Sequence, residues 1–427
     1  MQETVAVRLP QEVLDTILKN LHPEGDIQTL VRCALTARCL VTTAQRILFR
    51  EVRLSERVDR SERNHPIQFL GFLKHSPHLT KYISELELDI IPSRWGDNLS
   101  QNALTSILPR LQSLKKVSIK DATVTDACET VTSLQISTLL GGTAMPKINS
   151  LTLQYTMMTV HEIFAICDWL AAHGGLQDLH FLYVHVSDLI GPPPSTPPQA
   201  VFSCVPIQLR RFTIYNDSRF AEALLPWATG SASPLRFNAL RELTVGGLPQ
   251  ESSVYLLRIL DMAKNTLSCL RFTGETPSLS SFQFGTYRHL RCIIYDVDSL
   301  TFQGAQARLN EWCIALKESG ELKLESFGIS FSWDPPLGHD YPWRVLEDAL
   351  ISSRRCAHLV LQIYSSERID VVTIQECFPQ LHASDVCDLV VMNMVRDSLA
   401  SWKYDSWEYT SRSGEWKSIP IGNSFFD

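Results

Sequence analysis

The chain of 427 residues is 44% apolar and 20% charged, with nine Trp and 18 Phe. So much apolar surface offsets the entropy of ordering and excludes disorder as its main state. Its 39 Lys and Arg stand against 46 Asp and Glu, a net charge of −7, which excludes a bulk electrostatic hold on nucleic acid. The length allows about three globular units of roughly 150 residues, or one array that grows by repetition.

The first residues, a tail over 1–7, lack the basic and then apolar pattern of a secretory signal. No apolar run reaches the roughly 18 residues of a membrane span; even Leu389 to Val395 is interrupted by Asn393. An intracellular protein, cytoplasmic or nuclear and without a membrane partner, is the expectation. Over residues 8–54 the spacing predicts three short helices. Pro10 suits a first helical turn, and Val13, Leu14, Ile17, Leu18 and Leu21 follow at helical spacing. After the turn His22 to Asp26, a second helix carries Leu30, Val31, Ala34 and Leu35, and a third runs from about Leu40 to Phe49. A piece this small buries little by itself, so some of its apolar positions must dock on a neighbour or a partner.

This segment resembles an F-box. The matching residues are Leu9-Pro10-x-Glu12-Val13-Leu14-x-x-Ile17-Leu18-x-x-Leu21, then Leu30 with Cys33 and Ala34, then Arg38, and finally Leu48-Phe49-Arg50-Glu51-Val52. Where family members commonly show Val-Cys-Arg-x-Trp, this chain reads Thr36-Ala37-Arg38-Cys39-Leu40. The resemblance implies docking on the Skp-type adaptor of a cullin-RING ubiquitin ligase. Leu9, Pro10, Val13, Ile17, Leu18, Leu30, Arg38, Leu40 and Phe49 would be the contacts. The alternative is that the same leucines only cap the rest of the chain.

Residues 55–66 form a charged linker, beyond which Ile67, Phe69, Leu70, Phe72 and Leu73 predict a helix. From there to residue 395 the frame L-x-x-L-x-L recurs, with Ile, Val, Phe, Tyr or Cys also filling its apolar positions. Its copies begin at Ile83, Leu114, Ile148, Leu176, Leu209, Leu240, Leu267, Leu290 and Leu324, and two weaker ones begin at Cys356 and Val386. Each copy reads as a short strand whose alternate residues share one face. Helical spacing recurs between copies, as in His161 to Ala172, Ser253 to Ala263, Ala305 to Glu318 and Trp343 to Ser352. In this frame the chain resembles leucine-rich-repeat proteins. That resemblance implies an α/β solenoid, an irregular leucine-rich-repeat horseshoe preceded by the three-helix F-box-like module. Its inner face would present Thr152, His180, Thr213 and Thr244 to a protein partner.

Two insertions, Gly191 to Pro198 and Ser332 to His339, read as surface loops. Alternating aromatic residues from Trp402 to Ile421 predict a hairpin within a cap over 396–427. The 11 cysteines include no C-x-x-C pair and lie in apolar segments, as Cys33, Cys167, Cys292, Cys313 and Cys387 do; they read as core thiols. No nucleotide loop, nucleophile elbow or zinc motif occurs, so the expectation is a protein that is not an enzyme and needs no metal or cofactor. Together the two resemblances imply a substrate-recognition adaptor subunit of a Skp/cullin/F-box ligase, with an unknown protein substrate. The alternative is a non-ligase protein–protein interaction scaffold of leucine-rich-repeat fold, with the N-terminal helices acting only as a solenoid cap.

Overall fold

A computed structural model describes residues 10–21, 25–55, 65–90, 98–121, 147–158, 163, 165–166, 169, 175–186, 206–215, 218–231, 233–274, 283–296, 310–315, 318, 324–333, 343–353, 356–365, 372, 376–380, 388–398, 401–410 and 415–418. Both loop insertions fall wholly or mostly outside these residues, as do Leu9, most of the charged linker, Cys167 and Cys387. The chain divides into two compact units, Met1–Pro193 with Phe202–Val205, and Pro194–Val201 with Pro206–Asp427.

The first unit opens with three helices, α1 (Gln11–Lys19), α2 (Ile27–Thr36) and α3 (Arg38–Leu48). Leu18, Leu30 and Ala44 form their common core, with Leu21, Cys33, Ala34, Leu40, Ile47 and Leu48 packed against it. Then come β1 (Glu51–Ser55), α4 (Pro66–His75), β2 (Glu85–Ile90), α5 (Asn98–Ile107), β3 (Lys116–Asp121), β4 (Ser150–Gln154), β5 (Met157–Met158), β6 (Asp178–Leu182) and β7 (His185–Val186). Strands β1, β2, β3, β4 and β6 pair in that order, all parallel, while β5 and β7 make a short parallel ladder of their own.

In the second unit the elements are β8 (Ile207–Gln208), β9 (Arg211–Tyr215), α6 (Ser218–Ala228), β10 (Leu235–Arg236), β11 (Glu242–Gly246), α7 (Ser253–Ala263), β12 (Cys269–Thr273) and β13 (Cys292–Asp296). They continue with β14 (Leu324–Trp333), α8 (Trp343–Ser353), β15 (Cys356–Ser365), β16 (Asp388–Ser398), β17 (Ser401–Thr410) and β18 (Glu415–Ser418). Strands β9, β11, β12, β13, β14, β15 and β16 pair in parallel, whereas β17 and β18 add antiparallel. The C-terminal hairpin expected from the aromatic alternation is this β17–β18 pair.

Every described residue of the L-x-x-L-x-L frame is buried, from Ile83, Leu86 and Leu88 to Leu389 and Val391. Frame residues also face one another across the ladder. Leu86 pairs with Val117, Val117 with Leu151, and Leu151 with Leu179; in the second unit the row runs Phe212, Leu243, Leu270, Ile293, Phe327, Leu359, Leu389. Full burial of such side chains contributes about 1.5–3 kcal/mol each before entropy is counted, so the rows are the main hold on the sheet. An aromatic cluster adds to them: Trp312 lies 5.1 Å from the rings of Phe272 and Phe284 and 5.7 Å from Tyr295.

The horseshoe expected from the frame is not what these strands build; in each unit they form a parallel sheet with helices, an α/β fold. Strand length doubles, from five residues in β9, β11, β12 and β13 to ten or eleven in β14, β15 and β16. The connecting layer is uneven as well: α7 leads into β12, but the described approach to β13 is a single 3-10 turn, Phe284–Thr286. Over β13, β14 and β15 the second face is closed as well. Ile294, Ser330 and Val360, which alternate with the frame residues, are at most 4% exposed. The frame could not distinguish these architectures, because it records one buried face and a parallel α/β sheet satisfies it while also covering the other.

Candidate functional site

The N-terminal helices set out their apolar residues on two sides. In α1 the carbonyl of Pro10 accepts from the backbone N–H of Val13 and Leu14, and this first turn places Val13 and Ile17 one turn apart. Both remain exposed, at 42% and 51%, while Leu18 is buried at 3%. Three residues of α2, Ile27, Val31 and Leu35, repeat the arrangement at four-residue spacing and are 52%, 42% and 81% exposed, against 0% for Leu30. Large apolar side chains thus stand out of helices that already have a packed core.

The expected contact residues therefore separate. Pro10, Val13, Ile17 and Arg38 are at the surface; Leu18 and Leu30 are inside the three-helix core; Leu40 is half-buried against that core. Phe49 is half-buried elsewhere, stacked on Phe72 of α4 at 5.9 Å. Ile27, Val31 and Leu35 were not among the expected contacts. Their signal in the sequence is only partial: α2 is too apolar to bury every such residue on one side, and spacing does not say which of them face out.

A polar clasp fixes α1 on α3. Asp15 Oδ1 accepts from Thr43 Oγ1 at 2.6 Å and from Gln11 Nε2 at 2.8 Å, while the same Gln11 amide donates to the Cys39 carbonyl at 2.9 Å. The Thr43 hydroxyl, followed by the Gln11 amide, holds the Asp15 carboxyl below its ordinary range.

On the sheet, the residues expected to meet a partner lie in one row within each unit. Thr152 faces His180 across β4 and β6, and Thr213 faces Thr244 across β9 and β11; all four are half-buried. The second row continues through Arg271 and Ile294, so its polar character ends where the face becomes covered. Beside it, Cys269 and Cys292 are register partners on β12 and β13. A hydrogen bond from Cys269 and another from Ser326 bring the Cys292 thiol down against the effect of burial, and the same pairing pushes Cys269 up.

No protein-family model and no curated protein matches this chain. Among the described residues no group of three or more His, Cys, Asp or Glu is placed to hold a metal ion, and no helix is long and apolar enough to cross a membrane. The half-buried Cys33, Cys269 and Cys292 and the exposed Cys39 stand apart from the buried Cys313, Cys356 and Cys377, so the description as core thiols fits only part of the set.

Proposed function

We propose that this chain is an F-box-type substrate-recognition subunit of a Skp/cullin ubiquitin ligase, working in the cytoplasm or nucleus. The N-terminal helices would dock on the Skp-type adaptor, and the sheet-bearing remainder would hold a protein target. The observation that carries this reading is the exposed apolar set on α1 and α2, Val13, Ile17, Ile27, Val31 and Leu35, over a core already filled by Leu18 and Leu30. Such a subunit performs no covalent chemistry. It raises the effective concentration of target lysines near the ubiquitin-carrying enzyme.

Co-purification of the intact chain with a Skp-type adaptor tests this. Burying Val13 and Ile17 in an interface is worth about 1.5–3 kcal/mol each, so V13D and I17D should each weaken binding by about tenfold or more. Because both side chains are exposed, the variants should fold. No binding by the intact chain, or undiminished binding by the double variant, overturns the proposal.

A second reading, a scaffold in which the helices only cap the sheet, draws on a different observation. Phe49 stacks on Phe72, Arg50 pairs with Glu85 at 3.0 Å, and β1 is itself a strand of the sheet. It predicts no adaptor binding by any variant.

A further inference from the structure

Within the first unit lies a cleft of about 520 Å³ lined by Thr42, Arg46, Arg50, Lys81, Tyr82, Ser84, Ser113 and Lys115. The fold brings these together in two ways. On α3, Thr42 and Arg46 are one turn apart, and Arg50 follows four residues later, just past the helix end. The remaining residues come from the leading edge of the sheet. Ser84 and Lys115 immediately precede β2 and β3, and the backbone ladder stacks them beside Arg50: Ser84 N–H donates to the Arg50 carbonyl at 2.9 Å, and Lys115 N–H donates to the Ser84 carbonyl at 2.8 Å. Lys81 and Tyr82 belong to the 3-10 turn Pro77–Tyr82 that leads into β2, with the Lys81 ammonium 4.9 Å from the centre of the Tyr82 ring.

Four cations and four hydroxyls line this space, and no carboxylate does. In a chain of net charge −7 that is a local inversion of sign. The nearest acid is Glu85, which accepts from Arg50 at 3.0 Å and lies 3.4 Å from Lys116, outside the cleft; Arg46 also feels the charge of Asp15. Counting Glu85 fully against Arg50 leaves about three positive charges on the residues that line the cleft. A single phosphate group carries only about −1.5 to −2 at neutral pH. Guanidinium and hydroxyl donors suit phosphate oxygens, and the volume is that of a small-molecule site.

We propose that this cleft binds a small ligand bearing two or more phosphate groups, held by Arg46, Arg50, Lys81 and Lys115 with Thr42, Ser84 and Ser113 as neutral donors. The assignment does not depend on the ligase reading, since the cleft uses none of the exposed apolar residues of α1 and α2.

Calorimetric titration of the full chain with tripolyphosphate, pyrophosphate, orthophosphate and a phosphoserine peptide tests it. Tripolyphosphate should bind at least about tenfold more tightly than orthophosphate, and less tightly as salt rises. Lys115 serves the fold through its backbone, so K115Q should fold and lose about tenfold in tripolyphosphate affinity. R46Q should do the same, with far-UV circular dichroism as the check on folding. Failure of tripolyphosphate to bind, equal affinity for orthophosphate, or unchanged affinity in K115Q overturns the proposal. Tighter binding of the phosphoserine peptide overturns it too, in favour of a phosphorylated protein occupant.

Discussion

Cys269 and Cys292 illustrate how neighbours across a sheet can matter more than neighbours in sequence. Nothing around either residue in the chain marks it as reactive, yet parallel register sets one thiol beside the other, with Ser326 on the far side of Cys292. A donor on each side favours the thiolate of Cys292 and lowers its titration, and Cys269 keeps its proton as the donor. Alkylation of Cys292 by iodoacetamide, followed by mass spectrometry across a pH series, should therefore rise with a midpoint below the ordinary thiol value of about 8.5. In C269A the first of the two donors is gone, and the midpoint should move up toward the ordinary thiol value of about 8.5. An unshifted midpoint in C269A would show that the cross-strand bond does not govern the thiol.

Among elements, the turns that end β4, β6, β11 and β12 show one backbone demand met by different residues. The residue just past β11 and β12 is Gly247 or Gly274, with φ of 64° and 66°; just past β4 and β6 it is Tyr155 or Tyr183, with φ of 52° and 54°. A tyrosine there costs of order 1–2 kcal/mol, and the two rings offset part of it by stacking at 4.8 Å. Gly246, one residue before Gly247, answers a separate demand: a Cβ there would run into the Tyr215 ring and come within 2.6 Å of the Thr273 carbonyl. G246A should destabilise the protein by roughly 1–3 kcal/mol, since the backbone of β12 must shift to admit one methyl. Thermal unfolding reads this directly; a midpoint equal to that of the parent would mean the ring simply swings away. Strands of this kind are legible in sequence because burial at alternate positions leaves a period of two, and Leu151 with Leu153 or Phe212 with Ile214 display it. What covers the other face is not legible. Ile294 and Val360 are buried there, and the same alternation fits an open face equally well. The helical module shows the same limit, for spacing finds the apolar residues of α2 without telling Leu30, turned inward, from Leu35, turned out.

For the whole molecule, sheet order fixes a gradient of stability that also separates the two functional readings. In the first unit β3 is paired on both sides, whereas β1 is paired only with β2; in the second, β15 lies between β14 and β16, whereas β18 meets only β17. Opening an edge strand breaks one ladder and opening a central one breaks two, so local opening free energies should rise inward from the edges. Amide hydrogen exchange on the full chain should find β15 slower than β18, and β3 slower than β1, each by at least about tenfold. The helices provide the deciding comparison. Their core, Leu18, Leu30 and Ala44, is closed within α1, α2 and α3, so a recognition module of that kind can open without the sheet. Its amides should then exchange together and ahead of β3, and adaptor binding should slow α1 and α2 while leaving β3 unchanged. If α1, α2 and α3 instead exchange at the rate of β3, they are part of the sheet's own cooperative unit. The cap reading would then stand, and the exposed Val13, Ile17 and Leu35 would need another explanation.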